Sequence, residues 1–208
     1  MADARELVLG THNRKKVAEM VPLLAPLGIG LLTLAEIPNA LEVEETGDSF
    51  AANAALKAGQ QAMHLNRWVL GEDSGLAVDA LQGRPGIFSA RFSGEGATDE
   101  KNNARLLEEL DDVPWEKRGA HYVCSAALAN PHGRIVATAE GECHGRIRMR
   151  AAGGGGFGYD PLFEVVEYHL TFGELSPTVK ACLSHRSRAL RQLIPQLATL
   201  IATGQWPA

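Results

Sequence analysis

Long apolar runs are missing from this chain. None approaches the roughly 18–20 residues that a membrane-spanning helix needs. The start, Met1-Ala2-Asp3-Ala4-Arg5-Glu6, is polar and lacks the apolar stretch of a secretory signal. A cytoplasmic protein without a membrane partner is expected. Cysteine is scarce: Cys124, Cys143 and Cys182 are too few, and of the wrong parity, for a disulfide framework. They are widely spaced and form no Cys-x-x-Cys pair, which argues for free thiols and against a zinc site. An excess of positive charge is also absent. Lys and Arg number 20 against 25 Asp and Glu, a net charge of −5. A dedicated nucleic-acid binder would need a basic face, so no nucleic-acid partner is expected. Internal repeats and low-complexity linkers are missing too.

What is present suits a globular body. The chain has 208 residues, 45% of them apolar, enough for a substantial core. It reads as one domain over 1–208, either two-lobed or elongated. Glu6 to Gly10 reads as a buried strand running into the turn Thr11-His12-Asn13. A helix is predicted from Arg14 to about Leu27, kinked or shortened by Pro22 and Pro26. Asp48 or Ser49 can cap a second helix over Phe50 to His64. Trp68-Val69-Leu70 reads as a short strand, and Gly71-Glu72-Asp73-Ser74-Gly75 as the loop after it. Thr98 can cap a helix through Leu110. Ala120–Leu128 and Arg134–Glu142 read as the strands of a hairpin around Asn130-Pro131-His132-Gly133. The last helix begins near Ser184, with Pro195 as a kink. Strands and helices intermix, which indicates an α/β fold with a mixed sheet.

Four segments carry possible chemistry. In Thr11-His12-Asn13-Arg14-Lys15-Lys16 a helix start presents free N–H groups, side-chain donors and cations, a cradle for phosphate. A solvated basic first turn is the plainer reading. Three cations oppose the helix dipole there, however, so an anion should be nearby to favour them. The acidic stretches Glu42-Val43-Glu44-Glu45 and Glu72-Asp73-Ser74-Gly75 can supply the one or two carboxylates that magnesium takes. They also read as ordinary acidic loops. Gly153-Gly154-Gly155-Gly156-Phe157-Gly158-Tyr159-Asp160-Pro161 permits close backbone approach and offers an aromatic face to a base, or forms a flexible linker. Lys180 with Ser184-His185-Arg186 again sets cations at a helix start, or is a capped surface helix.

Taken together and in this order, these segments resemble the inosine triphosphate pyrophosphatase family. The resemblance runs from Leu7 to the final helix. It rests on Thr11-His12-Asn13 with Lys16, on Glu44-Glu45-Thr46-Gly47, and on Phe50 through Asn53-Ala54 to Lys57-Ala58. It continues with Asp73-Ser74-Gly75-Leu76, Pro85-Gly86 and Ser89-Ala90-Arg91, then Gly155 to Pro161, and Lys180 with Ser184-His185-Arg186.

The resemblance implies hydrolysis of non-canonical purine nucleoside triphosphates (ITP, dITP, XTP) to the monophosphate and pyrophosphate, with Mg2+ as cofactor. It implies a long mixed β-sheet flanked by helices, two lobes with a central cleft, and a homodimer. Asp73 matches the catalytic aspartate and metal ligand, and Glu44 the second metal carboxylate. Thr11, Asn13 and Lys16, with Lys57 and Ser74, match triphosphate-binding positions, and His12, Arg14 and Lys15 complete the substrate-binding stretch between them. Phe157, Gly158, Tyr159, Asp160, Lys180, His185 and Arg186 match the base and sugar pocket, with Arg186 expected to donate to the six-keto oxygen. Three departures stand out. Glu72 replaces the common Asp, which bears on metal geometry; Gly173 stands where Ala is usual; Ala181 replaces a polar residue and loosens the pocket. Two other readings stay open: a pyrophosphatase for modified pyrimidine nucleotides, and a nucleotide-binding regulator without catalysis.

Overall fold

The computed structural model of the protein describes residues 5–207. Residues 1–4, part of the polar stretch at the start, and Ala208 lie outside the described residues. In chain order the elements are β1 (Glu6–Leu9), α1 (Arg14–Leu24), β2 (Gly30–Thr33), α2 (Phe50–Leu65), β3 (Val69–Val78), α3 (Asp99–Glu109), β4 (Gly119–Ala129), β5 (Ile135–Ile147), β6 (Phe163–Val165), β7 (Leu170–Thr171), α4 (Pro177–Leu183) and α5 (His185–Ala202). The strands form a mixed sheet in the order β2-β1-β3-β4-β5-β6-β7. β1 is parallel to β2 and β3, whereas β6 is antiparallel to β5 and β7. This is the expected α/β class. Among the described residues no helix is long and apolar enough to cross a membrane.

The chain divides into two compact units, and it passes from one to the other within β3, β4 and β5 and at the start of α5. The first comprises the residues up to Asp73, Cys124–Gly141 and the chain from Arg186 on. Its centre is β1, whose Leu7, Val8 and Leu9 are all fully buried. A strand buried on both faces needs such a continuous apolar run. Met20 and Leu24 of α1 and Leu190, Leu193 and Leu197 of α5 pack with Leu7, Leu9 and Leu70. Ala54, Ala58 and Ala62 of α2 pack with Val8 and Val69. Small residues let α2 lie close to the sheet, and the approach is tightest at Gly71. A Cβ there would stand 2.3 Å from the Ala54 carbonyl oxygen and 2.6 Å from the Ala58 nitrogen. The turn from β4 to β5 closes through Gly133 N–H to the Asn130 carbonyl at 2.8 Å.

The second unit comprises Ser74–Val123 and Glu142–His185. Leu76 and Val78 of β3 pack with Leu106 and Leu110 of α3 and with Tyr122, Phe163 and Phe172. Phe163 and Phe172 stack at 5.2 Å, and Tyr122 tilts against Phe163 at 4.8 Å.

Most element expectations hold to within a few residues. Ser49 rather than Asp48 caps α2, accepting from Ala52 N at 3.2 Å. The helix α1 runs through Pro22, and Pro26 falls in a separate 3-10 turn at Ala25–Leu27. One expectation is overturned. Gly71 to Gly75 is not a loop: all five residues lie inside β3, and all but Ser74 are buried. Acidic and glycine residues in a row read locally as a turn, but here each has a tertiary reason. Gly71 admits α2, and the two carboxylates have buried partners. The strands β2, β6 and β7 and the helix α4 were not legible; three are very short or flank the glycine-rich segment.

Candidate active site

The first unit assembles charge around two consecutive residues of β3. Asn13 caps α1, its Oδ1 accepting from Lys15 N at 3.0 Å and Lys16 N at 3.2 Å. Thr11 Oγ1 accepts from Asn13 N at 3.2 Å, which tightens the turn. His12, Arg14 and Lys15 are exposed, while Lys16 is largely covered. The Lys16 ammonium donates to Glu72 Oε2 at 2.8 Å. Arg186, fully buried at the start of α5, donates to Glu72 Oε1 from Nε at 3.1 Å, and its Nη1 pairs with Glu19. The Cys124 thiol donates to Glu72 Oε1 at 3.4 Å.

Cations at two helix starts called for an anion, and the protein supplies one in Glu72. This carboxylate is 1% exposed. Burial alone would push its pKa up, but Arg186, Lys16 and Lys57 outweigh that and hold it well below the usual carboxylate range. The Arg186 guanidinium is pushed above its usual value: burial opposes its charge, and Glu72 and Glu19 more than compensate. Glu72 therefore faces Lys16, Arg186 and Cys124.

Asp73 has a different set of partners. Lys57 donates to Asp73 Oδ1 at 3.0 Å and to Glu45 Oε1 at 2.9 Å. Asn53 donates to Asp73 Oδ2 at 3.1 Å and accepts from Gly47 N at 2.8 Å. Asn53 and Lys57 are four apart on α2, so one helix face grips both carboxylate oxygens. Burial raises the pKa of Asp73, Lys57 opposes that rise, and the Glu45 charge adds to it; the net shift is upward. For Lys57, burial favours the neutral amine, but Asp73, Glu45 and Glu72 prevail and the ammonium is stabilised. A buried carboxylate with a raised pKa is what a proton-accepting group needs.

The resemblance pointed to Glu44 as the second metal carboxylate. Glu44 is exposed, and its neighbour Glu45 shares Lys57 with Asp73. Hard carboxylate oxygens fit a magnesium-type ion, which takes one or two carboxylates and fills its shell with phosphate and water. Among the described residues no group of three or more His, Cys, Asp or Glu could hold an ion by itself.

The second unit holds Ser74, half-buried beside Asp73 in the chain, and a separate group around Asp160. Asp160 Oδ2 accepts from Phe157 N at 2.7 Å and from Lys180 Nζ at 2.6 Å. The Tyr122 hydroxyl donates to Oδ1 at 3.4 Å. The Lys180 ammonium lies 4.7 Å from the Phe157 ring centroid. His185 stacks on Tyr122 at 4.6 Å with planes 8° apart. The Tyr159 hydroxyl donates to the Ser89 carbonyl at 2.8 Å. The glycine-rich segment is pinned here rather than loose. Gly155 N donates to the Gly173 carbonyl at 2.9 Å, and Gly156 has φ +73°. A Cβ at Gly173 would stand 2.8 Å from the Ala152 carbonyl oxygen, so this departure accompanies a tight contact. Ala181 is exposed.

The structure thus joins Lys16 with Arg186, Lys57 with Asp73, and Phe157 with Asp160 and Lys180. The sequence singles out neither Glu19 nor Tyr122; it offers Asn53 and Glu45 only within longer stretches and Cys124 only as a free thiol. The spacing of Asn53 to Lys57 is the available local signal for one of them; Glu19 pairs with Arg186, 167 residues away.

Comparison with known proteins gives a consistent picture. The Ham1 family model matches residues 7–196. A dITP/XTP pyrophosphatase of Rhodopirellula baltica is 54% identical over 203 residues, covering 98% of this chain and 98% of that protein. One from Desulforamulus reducens is 48% identical over 195 residues, covering 94% and 96%. The structure of a HAM1 protein from Coxiella burnetii matches with TM-score 0.84 and 36% identity, covering 96% of this chain and 99% of that one. A nucleoside-triphosphatase, dITP/XTP pyrophosphatase, of Mycobacterium abscessus matches with TM-score 0.74 and 42% identity, covering 92% and 99%.

Proposed function

The chain belongs to the Ham1 family, and from that premise we propose that it hydrolyses non-canonical purine nucleoside triphosphates, dITP and XTP among them, to the monophosphate and pyrophosphate. The observation that carries the chemistry is the Asp73 carboxylate, 5% exposed, held on one oxygen by Lys57 and on the other by Asn53.

A nucleoside triphosphate carries several negative charges, which repel a nucleophile. Lys57 and Lys16 supply preorganised positive charge against them. Asp73 orients a water for attack on the α-phosphorus and takes its proton. Asn53 fixes the carboxylate plane so that one oxygen points in a defined direction. The family implies a divalent metal, and the hard oxygen donors favour Mg2+. Asp73 would hold it together with Glu45, which the geometry favours over Glu44. When bound, the metal neutralises phosphate charge and lowers the cost of ionising water. The bond that breaks joins the α-phosphorus to its bridging oxygen, and pyrophosphate leaves.

In the second unit Phe157 offers a face for stacking, and Asp160 and Lys180 offer an acceptor and a donor for a base. We favour direct hydrolysis, with Asp73 as the group that activates the water. The family resemblance also supports a homodimeric, cytoplasmic enzyme. The test is pyrophosphate release with dITP, XTP and dATP at equal concentration. Rapid release from the first two and little from dATP is expected. Equal turnover of all three, or release of single phosphates, would overturn the reading.

A further inference from the structure

Helix α3 reaches across the second unit to one residue of the glycine-rich segment. Asp99 Oδ2 accepts from Gly158 N at 2.9 Å, and Asn103 Nδ2 donates to the Gly158 carbonyl at 2.9 Å. Asp99 and Asn103 are four apart, so they lie on the same helix face. Together they grip the N–H and the carbonyl of a single residue. That residue is left-handed, with φ +61°, a conformation that glycine adopts without strain. Two adjacent peptide planes are fixed in this way, one leading back to Phe157 and one leading on to Tyr159.

Capping does not account for Asn103, and Asp99, an acid in the first turn that also suits the helix dipole, bonds to Gly158. Thr98 already caps α3, its Oγ1 accepting from Lys101 N at 3.3 Å. Asn103 lies inside the helix, where Asn is a poor former. Its Oδ1 is buried with no hydrogen-bond partner among the described residues. A buried acceptor left unpaired is costly, so an apolar residue at 103 would suit the helix better. What Asn103 contributes in return is the donor to Gly158. Its neighbour Asn102 holds the other side of the same region, donating to the Ser89 and Ala90 carbonyls at 3.3 and 3.1 Å.

We propose that Asp99 and Asn103 are positioning residues for base recognition. They set the Gly158 peptide and, through it, the ring plane of Phe157 and the carboxylate of Asp160. The proposal rests on the reading of Phe157, Asp160 and Lys180 as base-binding groups. Neither α3 residue touches substrate; each acts through Gly158.

The experiment compares the full-length enzyme with Asp99→Ala, Asp99→Asn, Asn103→Ala, Asn103→Leu and Phe157→Ala variants. Readouts are kcat and KM for dITP and dATP, and thermal midpoints. Asp99→Ala and Asn103→Ala should raise KM for dITP about tenfold, keep kcat within about threefold, and narrow the dITP-to-dATP ratio of kcat/KM. Asp99→Asn keeps an acceptor oxygen at the same place and should restore KM. Asn103→Leu should match or exceed the wild-type midpoint while still raising KM, which separates positioning from folding. Altered midpoints with unchanged KM and unchanged ratio would overturn the proposal. If Phe157→Ala also changes neither KM nor ratio, the base-site reading itself fails; if Phe157→Ala shifts them and the α3 variants do not, only the present inference falls.

Discussion

Lys57 donates to Asp73 Oδ1 at 3.0 Å, and the same ammonium stands 2.9 Å from Glu45. One cation therefore joins two carboxylates that would otherwise repel each other. Burial raises the Asp73 pKa, and the Lys57 ammonium opposes that rise.

Asp73→Asn preserves shape and removes the proton acceptor. Turnover of dITP should fall by at least about a hundredfold, the lower range for losing a general base. The amide can still meet Asn53 and Lys57 only in part, so nucleotide binding should survive in weakened form. Pyrophosphate release measured beside equilibrium binding separates the two. A variant within about tenfold of wild type, roughly 1.4 kcal/mol of barrier, would remove Asp73 from its assigned role.

Chelation provides a second test. Two carboxylates, Asp73 and Glu45, meet at Lys57, and their hard oxygens suit magnesium. EDTA should abolish pyrophosphate release, and added Mg2+ should restore it. Undiminished release in metal-free buffer would contradict the metal assignment.

Arg186 is expected to act on stability. Its guanidinium is buried between Glu72 and Glu19. Arg186→Ala leaves Glu72 with Lys16 as its remaining close cation and opens a void. Breaking a buried pair in this way costs about 3–5 kcal/mol. Urea unfolding at neutral pH should show a loss of that size, and Arg186→Lys an intermediate one. A loss under about 1 kcal/mol, the range of a surface pair, would mean that the network is not structural.

Alkaline unfolding follows from three buried acids. Burial, Asp160 and Tyr159 push the Tyr122 phenol well above its ordinary value. Burial and Asp99 raise Tyr159, and burial and Glu72 raise the Cys124 thiol. Each folded pKa exceeds its unfolded value. The folded state therefore holds these protons after the unfolded chain has released them. Stability is fully present below the unfolded values, near 9 for Cys and 10 for Tyr, and falls as pH rises above them. Each group contributes about 1.4 kcal/mol per pH unit to the slope. Tyr122→Phe should remove one such increment between pH 10 and 11, read from urea midpoints at both pH values. An unchanged slope would sink the argument.

Local features were legible in the sequence, and distant partnerships were not. The caps Asn13, Ser49 and Thr98 depend on residues two or three away, so sequence spacing reveals them. The helix face with Asn53 and Lys57 was likewise visible as a spacing. In the sequence Glu72 reads as part of an acidic loop that could serve a metal and as a departure from the family pattern; its partners Lys16 and Arg186 lie 56 and 114 residues away and leave no local trace. The loop reading failed for the same reason: glycine and aspartate signal a turn until a helix and two cations arrive from elsewhere. Asp99 and Asn103 escaped notice because Gly158 lies 59 and 55 residues from them.

Gly71 has no side chain, and that vacancy acts as a spacer of fixed thickness. It lets the backbone of α2 rest on β3 two residues before Asp73, at a distance that a methyl group would already exceed. Asn53 and Lys57 flank Ala54 and Ala58 on that helix, so their reach to Asp73 is calibrated by a hydrogen atom. Any side chain at 71 would work as a wedge, lifting the whole helix face at once. The setting of the Asp73 carboxylate against Asn53 and Lys57 is therefore gauged at Gly71, two residues before it.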